Sequence, residues 1–187
     1  MAEHFGLTHL DTGLLYRAVG RQVFLDGGDP DNGGDALAGC AFPDELLLDP
    51  HLRNEETGGL ASRVSVHPAV RQALYDRQRR FATQDGGAVL DGRDIGTVIA
   101  PEADAKLFII ASVEARAQRR FLEMRERGVH VTKLEIADDL RRRDERDRNR
   151  AVAPLSPAPD ALVIDTSPLS REQSIEAAIE AVMEATS

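Results

Sequence analysis

Three short apolar runs, each bounded by turn formers and each followed by polar residues, constrain the fold of this chain more than any other feature. They lie in GGAVLDGRDIG, KLFIIAS and ALVIDTS. Each is too short for a helix and is continuous rather than alternating, the pattern of a buried strand. Helical patterns follow the second and third, VEARAQRRFLEMRERG and SREQSIEAAIEAVMEA. Such alternation predicts an α/β fold with a parallel sheet covered by helices on both faces. Ligands on these sheets bind beyond the C-terminal ends of the strands. LTHLDTG near the start is a further short run, and LTHLDTG, AVLDGRD and LFIIAS all place polar residues at that rim.

Between the strands the signals vary in strength. AEHFG has the form of a helix C-terminus, with Gly6 where a left-handed residue usually stops a helix. A second helix is expected to begin near Leu14, after the turn chemistry of DTG, in which Thr12 can serve as N-cap. GGDPDNGGD reads as a loop. From Asp35 to about Pro68 the pattern is weak and mixed, the expectation being a small flexible insert. PAVRQALYDRQRRFATQ starts on a proline and sets Ala69, Val70, Ala73, Leu74 and Phe81 on or near one helical face. LEIADDLRRRDERDRNRAVAPL is the densest charge run; by itself it reads as a solvated helix laced with acid–base pairs.

Composition narrows the function. A chain of 187 residues suits a single domain, here 1–187, and its formal net charge of −9 opposes binding to phosphate backbones. Acids interleave the arginines of LRRRDERDRNR, and only Phe121 and Tyr75 offer stacking partners nearby, so a nucleic-acid role is not expected. The N-terminus lacks the basic and apolar segments of a signal peptide, and no apolar run is long enough to span a bilayer. A cytoplasmic protein with no membrane partner is expected. Cys40 stands alone, and no paired Cys/His spacing suggests a metal site.

Four segments carry more specific information when taken together: LDTGLLYRAVG, ASRVSVHPAVRQAL, DGRDIGTVIAP and RDERDRNRAVAPL. In this order and at this spacing, and with the closing DALVIDTSPLS, they resemble bacterial cytidylate kinase from Leu10 to Ser170. The resemblance implies a P-loop nucleoside monophosphate kinase fold and phosphoryl transfer from ATP to CMP or dCMP. It implies a CMP-binding insert over about 28–68 and a small lid over about 125–135 that closes to exclude water.

Residue roles follow from the same resemblance. Arg17, Arg93 and Arg150 would be the catalytic arginines holding the CMP phosphate, a task suited to planar guanidiniums with paired donors. Ser62, Arg71 and Asp94 would read the cytosine edge, Asp147 the sugar hydroxyls, and Thr12 would lie near the nucleotide. Uracil reverses one donor–acceptor pairing and would leave a buried polar group unmatched. Arg116 and Arg120, four apart on one helix face, would contact ATP, whose Mg2+ is expected to arrive with the nucleotide. For any one of these arginines taken singly, a surface ion pair is the alternative.

One element of the family pattern does not occur. No G-x-x-x-x-G-K-[ST] loop is present in the 187 residues. In the family that loop follows the first strand and precedes a helix whose tail resembles AEHFG. The resemblance therefore implies roughly 20 to 25 residues upstream, from a start placed at an internal codon, and a central strand between AVLDG and KLFII. ATP binding by the chain as given is expected to be impaired. Its sheet edges would make it prone to associate, where the complete form would be a monomer. A truncated gene product and a CMP-binding protein without kinase activity are the alternatives.

Overall fold

A computed structural model describes residues 1–186. The first helix, α1 (Ala2–Phe5), ends on Gly6, whose φ of 64° is the left-handed stop expected there. Strand β1 (Thr8–Asp11) leads into α2 (Thr12–Leu25), which starts two residues before Leu14. Its N-cap is Asp11, not Thr12: an Asp11 side-chain oxygen accepts from the Leu14 amide at 3.3 Å. The carboxylate takes the role because it lies one residue ahead of the first helical φ/ψ, where a side chain can fold back onto free amides.

The region expected to be a flexible insert is ordered and contributes to the core. It contains α3 (Gly33–Ala38), three short 3-10 turns, and α4 (Glu55–Val64). The second half of GGDPDNGGD is the start of α3, capped by Asn32, rather than loop. Gly58 and Gly59 weaken the helical signal of α4. The helix forms because Asn54 caps it, accepting from the Thr57 amide at 2.8 Å, and because Ala61 and Val64 are buried. Their partners are Leu15, Val19 and Val23 on α2, together with Leu52. Each buried Val or Leu in this cluster stabilises the fold by about 1.5–3 kcal/mol, which together outweigh two glycines at about 1 kcal/mol each. Close approach of the helices depends on Gly20, where a Cβ would lie 2.8 Å from Leu60 Cβ.

Helix α5 (Pro68–Ala82) starts on its proline as expected, but its buried face is Val70, Arg71, Leu74 and Gln78; Ala69 and Ala73 are exposed. The larger side chains decide the rotation, since they hide more area per residue than alanine does. Strand β2 (Ala88–Asp91) follows, then β3 (Leu107–Ile110), α6 (Val113–Glu126), α7 (Lys133–Asn149), β4 (Leu162–Asp165) and α8 (Arg171–Ala185). The α6–α7 connection, residues 127–132, falls inside the segment of about 125–135 expected to be a lid, whose two ends belong to the helices. Thr132 and Glu135 close it with a capping box at the start of α7. A second apolar cluster of Ala117, Ile136, Ala137 and Leu140 joins these two helices.

All strand pairing is parallel. β1 pairs with β2, Thr8 opposite Ala88 and Asp11 opposite Asp91; β3 pairs with β4, Leu107 opposite Leu162. Among the described residues no ladder joins the two pairs. The strands are consequently less covered than their continuous apolar character implies, with Ile109 53% and Val163 57% exposed. Among the described residues no helix is long and apolar enough to cross a membrane.

Candidate nucleotide site

The C-terminal end of β2 sets the geometry. After Asp91 the chain passes so close to the start of α2 that a Cβ on Gly92 would overlap the Thr12 hydroxyl and lie 2.8 Å from Ile95 Cδ1. Thr12, itself buried, donates its hydroxyl proton to the Asp91 carbonyl at 2.7 Å. This clamp fixes where Arg93 and Asp94 leave the strand. A single π-turn, Ile95–Ile99, follows directly, the kind of irregular helix that often marks functional sites.

Asp94 turns into the interior. It forms an ion pair with Arg71, the two being only 5% and 8% exposed. Arg71 also donates to the Ser65 carbonyl at 3.3 Å and lies 5.7 Å from the centre of the Tyr16 ring. Burial pushes the Tyr16 hydroxyl pKa up, against the opposing pull of Arg71. Burial also lowers the pKa of Arg150, with the Arg71 charge adding to it. Arg150 donates through Nε to the Ala153 carbonyl at 2.5 Å, but its Nη2 is buried without a hydrogen-bond partner. The buried Ser62 hydroxyl is likewise unpartnered. An interior that holds an ion pair and two unspent polar groups is suited to a polar ligand, because such groups are expensive to leave unmatched.

A cavity of about 280 Å3 opens between α6 and α7. Five arginines line it, Arg93, Arg116, Arg119, Arg120 and Arg143, against the carboxylates Glu123 and Asp144. Arg143 bears the strongest strain of this charge. Burial, and then the charges of Arg93, Arg17 and Arg120, push its pKa down to about 10, and its Nε is buried without a partner. Burial and the Arg120 charge also lower the pKa of Arg17. Arg17 donates through Nη1 to the carbonyls of Leu52 and Asn54 at 2.6 and 2.9 Å, and packs against Gly58, where a Cβ would stand 3.0 Å from Nη2. An anion entering here would relieve repulsion already present.

Most cavity arginines have a carboxylate or carbonyl partner. Arg93 donates through Nε to Asp147 at 3.0 Å. Arg116 grips Asp144 with both terminal nitrogens, at 2.8 and 2.5 Å. Burial would raise the Asp144 pKa, but the Arg116 hydrogen bond and charge, with the charges of Arg148 and Arg93, together hold the carboxyl below its ordinary value. Arg119 reaches the Thr166 and Leu169 carbonyls beyond β4, and Arg120 pairs with Glu55 of α4.

The residues singled out in the sequence thus fall into two adjoining groups. Arg17 and Arg93 act electrostatically on Arg143 beside the cavity that Arg116 and Arg120 line. Ser62 lies on α4, three residues before Ser65, whose carbonyl receives Arg71; Arg71, Asp94 and Arg150 form the interior group. Asp147 links them, bonded to Arg93 and raising the pKa of Arg150. Thr12 is spent as a donor and keeps its oxygen as an acceptor. Arg143 is the residue the sequence reading missed. The spacing of Arg143, Asp147 and Arg150, four and then three, puts all three on one face and was the available signal.

A family model described as cytidylate kinase matches residues 38–184, which include all of these side chains except Thr12 and Arg17. The chain belongs to the cytidylate kinase family. Curated relatives agree over nearly its whole length. A cytidylate kinase of Cereibacter sphaeroides (strain KD131) is 53% identical over 182 residues, covering 97% of this chain and 85% of the relative. One from Granulibacter bethesdensis is 53% identical over 179 residues, 95% of this chain and 85% of the relative. One from Xanthobacter autotrophicus is 52% identical over 186 residues, 99% and 88% of the two chains. The α/β fold with parallel strands is that of a nucleoside monophosphate kinase, and the chain is an enzyme of that class.

Proposed function

We propose that the protein transfers the γ-phosphoryl group of ATP to CMP and dCMP. An oxygen of the CMP phosphate attacks the γ-phosphorus, and the bond between that phosphorus and the oxygen retained by ADP breaks. Catalysis of this step is chiefly positioning and neutralisation of spreading charge. Arg17, Arg93, Arg143 and Arg150 hold the acceptor phosphate, and Arg116 and Arg120 approach the donor. The Mg2+ travels with ATP and neutralises its phosphates. Asp147 receives the sugar hydroxyls, and Thr12 lies beside the nucleotide. The insert over about 28–68 carries the acceptor, and the segment over about 125–135 closes over the transfer.

The observation that carries this reading is the buried Arg71–Asp94 pair, with Arg93, the residue next to Asp94, lining an arginine-rich cavity; the Ser62 hydroxyl, buried and unpartnered, lies on the helix whose C-cap carbonyl, at Ser65, receives Arg71. Asp94 can accept from the exocyclic amine of cytosine, while Arg71 and Ser62 donate to its ring nitrogen and carbonyl. Uracil presents a carbonyl where cytosine presents that amine, so Asp94 would be left facing an acceptor. Calorimetric titration with CMP, dCMP, UMP and ATP, together with an assay of ADP release, tests it. CMP is expected to bind at least tenfold more tightly than UMP. Equal affinities would remove the base-reading roles of Ser62, Arg71 and Asp94.

A further inference from the structure

Beside the arginine-lined cavity lies a second, of about 210 Å3, between α4 and α7. Arg143 lines both. The Glu55–Arg120 ion pair joins the two, since Glu55 lines the second and Arg120 the first. Glu55 is the first residue of α4, and its carboxylate accepts from Arg120 Nε on α6. It also acts on Arg17, raising a pKa that burial and Arg120 lower.

Glu55 therefore neutralises the same guanidiniums that an incoming phosphoryl anion would meet. Two anions competing for one set of cations repel each other, so the carboxylate and the ligand cannot both be held at full strength. The geometry points to Glu55 as an internal counter-ion that holds Arg120 and shields Arg17 while the site is empty, and that a bound phosphoryl group displaces. Glu55 is a positioning residue: it acts on the ligand through the arginines. The same exchange frees the N-terminal end of α4 from α6, so that filling the site unlatches the ordered insert from the donor-side helix.

This inference rests on the cavity being the phosphoryl site, and one set of titrations separates the two. The wild-type chain, Glu55→Gln, Arg120→Met and the double variant are titrated with inorganic pyrophosphate, CMP and cytidine at low and moderate salt. Removing one carboxylate near the anion is expected to tighten pyrophosphate and CMP binding about three- to tenfold, with the gain shrinking as salt rises. Cytidine, which carries no phosphate, is expected to be unaffected. In the Arg120→Met background the gain should fall to twofold or less. A purely structural latch predicts the reverse, weaker binding of all three ligands in Glu55→Gln. Unchanged or weaker anion binding in Glu55→Gln, with the wild type binding normally, overturns the counter-ion role alone. Absence of pyrophosphate and CMP binding in the wild type overturns the phosphoryl site and the inference together.

Discussion

Replacing Gly92 by alanine tests how the β2 rim positions the site. The added methyl would overlap the buried Thr12 hydroxyl and stand 2.8 Å from Ile95 Cδ1 and 3.1 Å from Ile95 Cγ1, so turning the isoleucine's terminal methyl aside would not by itself clear it. Thr12 is buried, so pushing it off the Asp91 carbonyl strands a hydroxyl, at about 1–3 kcal/mol. Overpacking against Ile95 adds about 1–3 kcal/mol. The sum, about 2–6 kcal/mol, is a large share of a typical domain's stability of about 5–15 kcal/mol. For a chain of this length, at about 2–4 °C per kcal/mol, it corresponds to a melting temperature lower by roughly 4–24 °C. Arg93 and Asp94 follow immediately, so CMP affinity should fall with stability. Urea unfolding and calorimetry would be run on Gly92→Ala, Thr12→Ala and the double variant. Thr12→Ala loses the hydrogen bond but clears space for the new methyl, so the double variant should cost less than the sum of the singles. Strict additivity, or a Gly92→Ala protein as stable and as tight for CMP as the parent, would refute the clamp.

Other perturbations give contrasting signs. Asp94→Asn leaves the buried Arg71 cation without its partner and should cost about 3–5 kcal/mol in urea unfolding. The same change should erase discrimination between CMP and UMP in the fraction that folds. Arg143→Met removes a cation that burial and neighbouring arginines disfavour, so its unfolding midpoint should hold or rise. Its CMP affinity should nonetheless drop about 10- to 100-fold, the worth of a charged hydrogen bond to phosphate. Because the folded Asp144 carboxyl titrates below its ordinary 3.8, its clamp on Arg116 is fully present above that pH. The stabilisation should be lost as pH falls through the depressed folded value, and Asp144→Asn should flatten that limb of a stability–pH profile.

Local sequence determined the elements that local physics controls. Gly6 stops α1 because glycine reaches the left-handed region without penalty, and Pro68 starts α5 because its missing amide is not needed there. The continuous runs AVL, LFII and LVI became parallel strands, AVL paired with β1 and LFII with LVI. The order and spacing of LDTGLLYRAVG, ASRVSVHPAVRQAL, DGRDIGTVIAP and RDERDRNRAVAPL together were enough to indicate the family. Tertiary structure decided what no window of residues contains. α4 exists because α2 offers Val19 and Gly20 to pack against, a gain invisible beside two adjacent glycines. Arg71 and Gln78 became the inner face of α5 because their neighbours across the fold, not their polarity, set the rotation. In a run of alternating charges, Arg143 is one arginine among six from Arg141 to Arg150 in pattern alone, counting none of its surroundings. Burial against Arg17, Arg93 and Arg120, brought from distant segments, is what singles it out, since electrostatic strain depends on distance in space rather than on separation along the chain.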